Sequence, residues 1–216
     1  GGEGAGGEAG DDGGGATRAL LITGQPGVFS AGNDIADFAE AARQGTMPAS
    51  VLAFLHALVD VDVPLLAAVD GLAIGVGCTL LLHCDMVFSS ERSLFRTPFT
   101  DLGLVPEAAS SLLGPRLLGE RNAFELLVAG MPFDAHRAKA VGLVNRLCPA
   151  DGVEADAFAM AEVLAAKPVE AVRQARRLLR GDPQEIHRRI DEEAALFAER
   201  LKSPEARAAF AAFLQR

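Results

Sequence analysis

The sequence predicts an α/β fold: a parallel sheet followed by a helical region. Three observations predict it. Short apolar runs, Leu20-Leu21-Ile22-Thr23, Leu65-Leu66-Ala67-Ala68-Val69 and Met86-Val87-Phe88-Ser89-Ser90, have the length and composition of buried strands. Helical patterns stand between them. From Pro106 onward helical periodicity dominates, and the last third is helical throughout. The chain has 216 residues, half of them hydrophobic, enough for one domain with a sizeable core. Its expected divisions are a flexible or incomplete Gly- and acid-rich segment over 1–17, a core over 18–150 and helices over 151–216.

The opening segment carries too few apolar residues to bury surface. The first strand, at Leu20–Thr23, closes at Gly24, and Gln25-Pro26-Gly27 reads as a turn. Residues 34–44 read as a helix, broken at Gly45 to Pro48. Ser50 is the expected N-cap of a helix over 51–60, ended by Pro64. The second strand, Leu65–Val69, ends at Asp70-Gly71. A short apolar helix is expected after Gly75 and Gly77, reaching His83. Met86–Ser90 is the third strand, and Ser93–Arg96 a fourth, shorter one. Helices follow over Glu107–Leu118, Arg121–Ala129 and Asp134–Ala140, then a late strand at Leu143–Leu147. Helices over 152–166, 168–180, 184–202 and 204–214 complete the chain, with Pro168 and Pro204 near helix starts, where a missing N–H costs little.

Composition excludes several functions. A formal charge of −9 argues against a nucleic-acid surface. No apolar run reaches membrane-span length without polar interruption. Cys78, Cys84 and Cys148 have neither metal-ligand nor redox spacing and read as buried free thiols. With no secretory signal visible and no Ser-Lys-Leu terminus, the expected location is the cytoplasm. His56, His83, His136 and His187 are far apart, so no metal site is expected. Arg173, Arg176, Arg177 and Arg180 read as a solvated basic helix face, and Asp191, Glu192 and Glu193 as solvated charges.

Three motifs carry candidate chemistry. Phe29-Ser30-Ala31-Gly32-Asn33-Asp34 and Gly71-Leu72-Ala73-Ile74-Gly75-Val76-Gly77 are glycine-rich turns that could aim backbone N–H groups at an anion. Each alone also reads as an ordinary turn. The second lacks the glycine or alanine at position 80 that a dinucleotide fingerprint requires; Leu80 stands there. Third, Glu107 follows Pro106, which is ordinary first-turn helix chemistry. Leu102 to Val105 and Ala108-Ala109 offer that carboxylate no cation, however, and an apolar setting makes a carboxylate a stronger base.

In order and spacing, Leu20–Asp34, Pro64–Asp85, Phe95–Leu118 and Ala138–Asn145 together resemble the crotonase (enoyl-CoA hydratase/isomerase) superfamily, over nearly everything from residue 18 onward. The resemblance implies a crotonase-like ββα spiral core and a C-terminal helical trimerisation region. It implies an acyl-CoA substrate, coenzyme A being part of that substrate and no other cofactor or metal being used. It implies a homotrimer or hexamer with no nucleic-acid or membrane partner. The oxyanion donors would be the backbone N–H groups of Asn33 and Val76, with Ala31, Gly32, Asp34, Ile35, Gly75 and Gly77 as substrate-binding positions. The two glutamates of hydratases would fall at Thr79 and Phe99, neither of which can exchange the proton. The chain looks more like the peroxisomal-type Δ3,Δ2-enoyl-CoA isomerase branch, whose single catalytic glutamate falls at Glu107. The alternatives are another reaction of the superfamily, hydration or hydrolysis, and a catalytically silent acyl-CoA binder. Residues 1–17 do not resemble the N-terminal hairpin and helix usual in the superfamily.

Overall fold

The computed structural model describes residues 16–33 and 47–213. The expected helix over 34–44, with Asp34 and Ile35, lies outside the described residues. Two four-stranded sheets form the frame. In the first, β1 (Leu20–Thr23), β3 (Leu65–Val69), β5 (Met86–Ser90) and β8 (Arg146–Cys148) lie side by side, all parallel. β3 is buried at all five positions. A strand covered on both faces is written as a continuous apolar run, which is why Leu65–Val69 was legible.

In the second sheet β2 (Val28–Ser30), β4 (Leu72–Ile74) and β6 (Leu94–Arg96) are parallel, and β7 (Phe133–Asp134) closes the edge antiparallel to β6. The chain visits the sheets in turn: β1 then β2, β3 then β4, β5 then β6. Each three-residue strand of the second sheet follows a turn out of the first, so the structure is the expected spiral. β2 and β4 correct the expectation of plain turns at Phe29–Asp34 and Gly71–Gly77. They are too short for a period-2 pattern and are held by pairing across the chain, Ser30 opposite Ala73 and Ala73 opposite Phe95.

The helices are α1 (Ala49–Asp60), α2 (Val76–Thr79), α3 (Ser110–Leu118), α4 (Glu120–Leu127), α5 (Ala135–Ala140), α6 (Val153–Ala165), α7 (Val169–Arg180), α8 (Pro183–Leu201) and α9 (Pro204–Phe213). Short 3-10 turns span Leu80–His83 and Thr100–Leu102. Ser50 does not cap α1: the helix already includes Ala49, and Pro48 at the cap makes no side-chain hydrogen bond. The late strand occupies 146–148 rather than 143–147, because Leu143 and Val144 turn inward to the core.

Three apolar clusters hold these layers. The largest joins β3, α1 and the Leu80–His83 turn to Phe95 and Phe133 of the second sheet. α6 packs Val153, Ala157 and Ala161 onto Leu66, Ala68 and Phe88 of the first sheet. The third cluster brings Phe99 and Leu104 against Phe197 and Leu201 of α8 and Ala206 and Phe210 of α9. That last contact walls the cavity described next.

Candidate active site

Glu107 is 1 % exposed, and its Oε2 has no hydrogen-bond partner. Burial, followed by the like charge of Glu193, pushes its carboxyl up to about 8. The expectation of an apolar, cation-free setting for this carboxyl holds. Its expected place at a helix start does not: α3 begins only at Ser110, and Glu107 lies in the preceding turn. Ala108 and Ala109 there have φ of 62° and 53°. Left-handed conformations in two successive non-glycine residues cost roughly 1–2 kcal/mol each. The turn survives because both flanks are tied. Neutral His83 donates from Nε2 to Ala108 O at 2.7 Å, and Glu193 Oε1 accepts the Ser111 N–H at 2.9 Å.

Glu107 faces a cavity of about 120 Å³. Its walls include Ala31, Gly32 and Asn33 after β2, Ile74 at the end of β4 with Gly75 and Val76 after it, and Phe99, Leu104 and Phe197. The two glycine-rich turns thus meet Glu107 around one space. Among the described residues, Gly77 is not a wall residue; Asp34 and Ile35 lie outside the described residues. The cavity shares Ile74, Pro98 and Leu102 with a larger recess of about 530 Å³ reaching Arg96, Asp101, Ala209 and Ala212.

Backbone approach explains the glycines. Gly32 has φ +91°, and a Cβ there would lie 3.1 Å from Ile74 O. At Gly77 a Cβ would sit 2.5 Å from Ser30 Cβ, so the turn after β4 can close on β2 only without a side chain. The Cys78 and Thr79 amides both donate to Gly75 O, and the Gly75 amide donates to Arg96 O. The Val76 amide sits at the first helical position, where an N–H lacks an intrahelical acceptor.

An enoyl-CoA hydratase/isomerase family profile matches residues 12–216. The chain belongs to the enoyl-CoA hydratase/isomerase family, within the crotonase superfamily. Enoyl-CoA delta isomerase 2 of Rattus norvegicus is 33 % identical over 208 residues, 93 % of this chain and 53 % of that protein. A "Probable enoyl-CoA hydratase" of Mycobacterium leprae is 34 % identical over 158 residues, 73 % of this chain and 62 % of that one. The chain thus spans between half and two thirds of the length of these curated relatives. The crystal structure of enoyl-CoA hydratase/isomerase from Pseudoalteromonas atlantica T6c matches at 42 % identity with a TM-score of 0.84, covering 92 % of this chain and 79 % of that one.

Within this crotonase fold, the positions compared with hydratase glutamates do other work. Thr79 is buried with its Oγ1 3.4 Å from Gly75 O, and Phe99 is an apolar wall of the cavity. Two side-chain groups contradict expectation. Glu193 is not solvated: it is 5 % exposed and packed toward the site. It shares the buried stripe of α8 with Ile186, Ile190, Phe197 and Leu201, and that three-and-four spacing was the signal that could have found it. Nor is the basic face of α7 fully solvated. Arg176 Nε and Arg180 Nε reach Asp85 at 2.7 and 3.0 Å, and Asp85 Oδ2 also accepts the Leu65 N–H. Arg180 donates in addition to His83 O. Cys78, Cys84 and Cys148 are free, as expected, but only Cys78 and Cys148 are buried while Cys84 is half-buried; burial pushes Cys78 up to about 12. Among the described residues, no cluster of side chains could hold a metal ion and no helix is long and apolar enough to cross a membrane.

Proposed function

We propose that this protein moves the double bond of a 3-enoyl-CoA to the 2-position, with Glu107 as the single base. The observation that carries this reading is one buried, cation-free carboxylate facing the Asn33 and Val76 backbone across an apolar cavity. Ionised Glu107 takes a proton from C2 of the thioester. The C–H electron pair passes into a dienolate whose oxygen is held by the N–H groups of Asn33 and Val76. Protonated Glu107 returns the proton to C4, the bond settles between C2 and C3, and the base is regenerated. The proton taken is the proton returned and no electrons leave, so the chemistry asks for no redox cofactor; coenzyme A enters as part of the substrate. Removing one oxyanion donor typically costs about 10²–10³ in rate, so the two amides carry much of the acceleration.

Isomerisation is favoured over hydration because Thr79 and Phe99 offer no second carboxylate to activate water. The recess reaching Ala209 and Ala212 is room for the substrate beyond its reacting carbons. The same reading includes a cytoplasmic homotrimer or hexamer. Leu178 and Leu179, 85 % and 89 % exposed on α7, are apolar surface that self-association would cover.

The test is turnover of a 3-enoyl-CoA and a 2-enoyl-CoA by the wild type and Glu107→Gln. Conversion of the first to a 2-enoyl product, lost in the variant, supports the reading. Hydration of the second, or full activity in the variant, overturns it. Turnover of neither substrate, with acyl-CoA binding retained, favours the silent binder.

A further inference from the structure

Glu193 comes from α8, far from Glu107 in sequence, and is buried among apolar neighbours. Its Oε1 accepts the Ser111 N–H at 2.9 Å, and the nearby Ala109 amide also favours its ionised form. Its Oε2, like that of Glu107, is buried without a partner. A carboxylate so placed is costly unless it does something its apolar neighbours cannot. Ala109 belongs to the strained turn directly after Glu107, and Ser111 to the first turn of α3 that follows it.

Arg189 partly offsets the charge of Glu193, and the other charges around it are paired elsewhere. On its own helix Arg189 donates to Ser111 Oγ at 3.0 Å and to Glu192 at 3.1 Å. From the 3-10 turn, His83 is engaged with Ala108 O, and its burial keeps the imidazole neutral, down at about 4. On the elements packed against α8, Arg116 of α3 pairs with Glu185, and Glu205 of α9 with Arg200. His56 and Asp60 of α1 are taken by Asp191 and His187. None of these neutralises Glu107, and the like charge acting on it is that of Glu193.

We propose that Glu193 is a positioning residue for Glu107: it anchors the turn that aims the base into the cavity, and its charge sets the pH at which the base becomes available. This rests on the reading of Glu107 as the base, so the experiment includes a readout independent of turnover. The ¹³C carboxyl resonance of Glu107, assigned by its loss in Glu107→Gln, is titrated in the wild type and in Glu193→Gln. The glutamine keeps an oxygen acceptor for the Ser111 amide and removes the charge.

The expected result is a Glu107 midpoint lower by about one pH unit in Glu193→Gln, with the acidic limb of the kcat/KM profile moving with it. In Glu193→Ala, which lacks the acceptor, kcat falls by roughly 10–100-fold while KM stays close to wild type. If Glu193→Ala does not fold, the glutamine variant decides alone. A Glu107 titration identical in the wild type and Glu193→Gln overturns the proposal. If Glu107→Gln keeps wild-type turnover, the functional reading fails, and the carboxyl titration still shows whether the two groups are coupled.

Discussion

His83 Nε2 lies 2.7 Å from the carbonyl oxygen of Ala108, the residue that follows Glu107 and has a φ of 62°. A carbonyl only accepts, so the buried imidazole carries its proton on Nε2 and leaves Nδ1 bare, in agreement with an Nδ1 that has no partner. The geometry of the turn thus depends on a buried, neutral histidine.

Replacing His83 with leucine should strand the Ala108 carbonyl and release the strained turn. The expected loss is about 1–3 kcal/mol of stability together with a fall in kcat. Burial of the same imidazole, which outweighs the opposing effect of the Ala108 contact, gives the wild type a pH signature. His83 titrates near 4 in the folded state against an ordinary 6.5, so the unfolded chain binds the extra proton first. Its contribution is complete above 6.5 and is lost as pH falls toward 4. Denaturant melts from pH 7 to pH 4 should show a shallower acid loss in His83→Leu than in the wild type.

Glu107 has the opposite sign. Its carboxyl is raised from 4.5 to about 8, so the folded state keeps a proton that the unfolded chain has already released. Stability is lost as pH rises from 4.5 through 8, by on the order of a few kcal/mol. Glu107→Gln should remove that loss. The expected outcome is an inactive protein whose Tm exceeds that of the wild type most clearly at pH 8–9, read by calorimetry. A Tm difference that does not grow with pH would contradict the buried, raised carboxyl.

Gly77→Ala places a Cβ 2.5 Å from Ser30 Cβ, and the neighbouring Ser30 oxygens leave it no room either. The turn after β4 must move away from β2, carrying the Val76 amide with it. Turnover should fall by about 10² or more, with the loss chiefly in kcat. Gly27→Ala is a useful comparison: its φ of +83° strains an alanine, but no atom lies within 4 Å of the added methyl, whereas at Gly77 the obstacle is the crowding alone. That variant should lose some stability and retain its kcat.

Asp85→Asn should cost about 2–4 kcal/mol, because it leaves Arg176 and Arg180 facing each other without their shared anion. The Arg180 contact to the His83 carbonyl weakens with it. Urea melts measure the first effect. A parallel fall in kcat, larger than that of Arg92→Ala at the distant Asp70 pair, measures the second.

The parts of the fold legible in the sequence share a physical cause. Leu65–Val69 and Met86–Ser90 are recognisable because strands covered on both faces are written almost wholly in apolar residues. Val28–Ser30 and Leu72–Ile74 are three residues each and exist through partners far along the chain, which no local pattern records. Glu107 was legible by what surrounds it. Its two anchors were not: His83 and Glu193 approach the turn from other elements, and Glu193 stands next to two charges that do face water. Arg176 and Arg180 were misjudged for the same reason, since Asp85 lies about ninety residues upstream (|i−j| 91 and 95).

The pairing of Ser30 with Ala73 brings the chain into the Gly32-Asn33 turn and the Gly75-Val76 turn at neighbouring places. The groups it presents there are main-chain amides, which every residue except proline possesses. Point substitution at Asn33 or Val76 therefore alters the rim of the cavity without deleting a donor. Heritable variation in chemistry is thereby channelled to the few side chains that project into the space, while the half of the site proposed to hold the anion is inherited with the spiral itself.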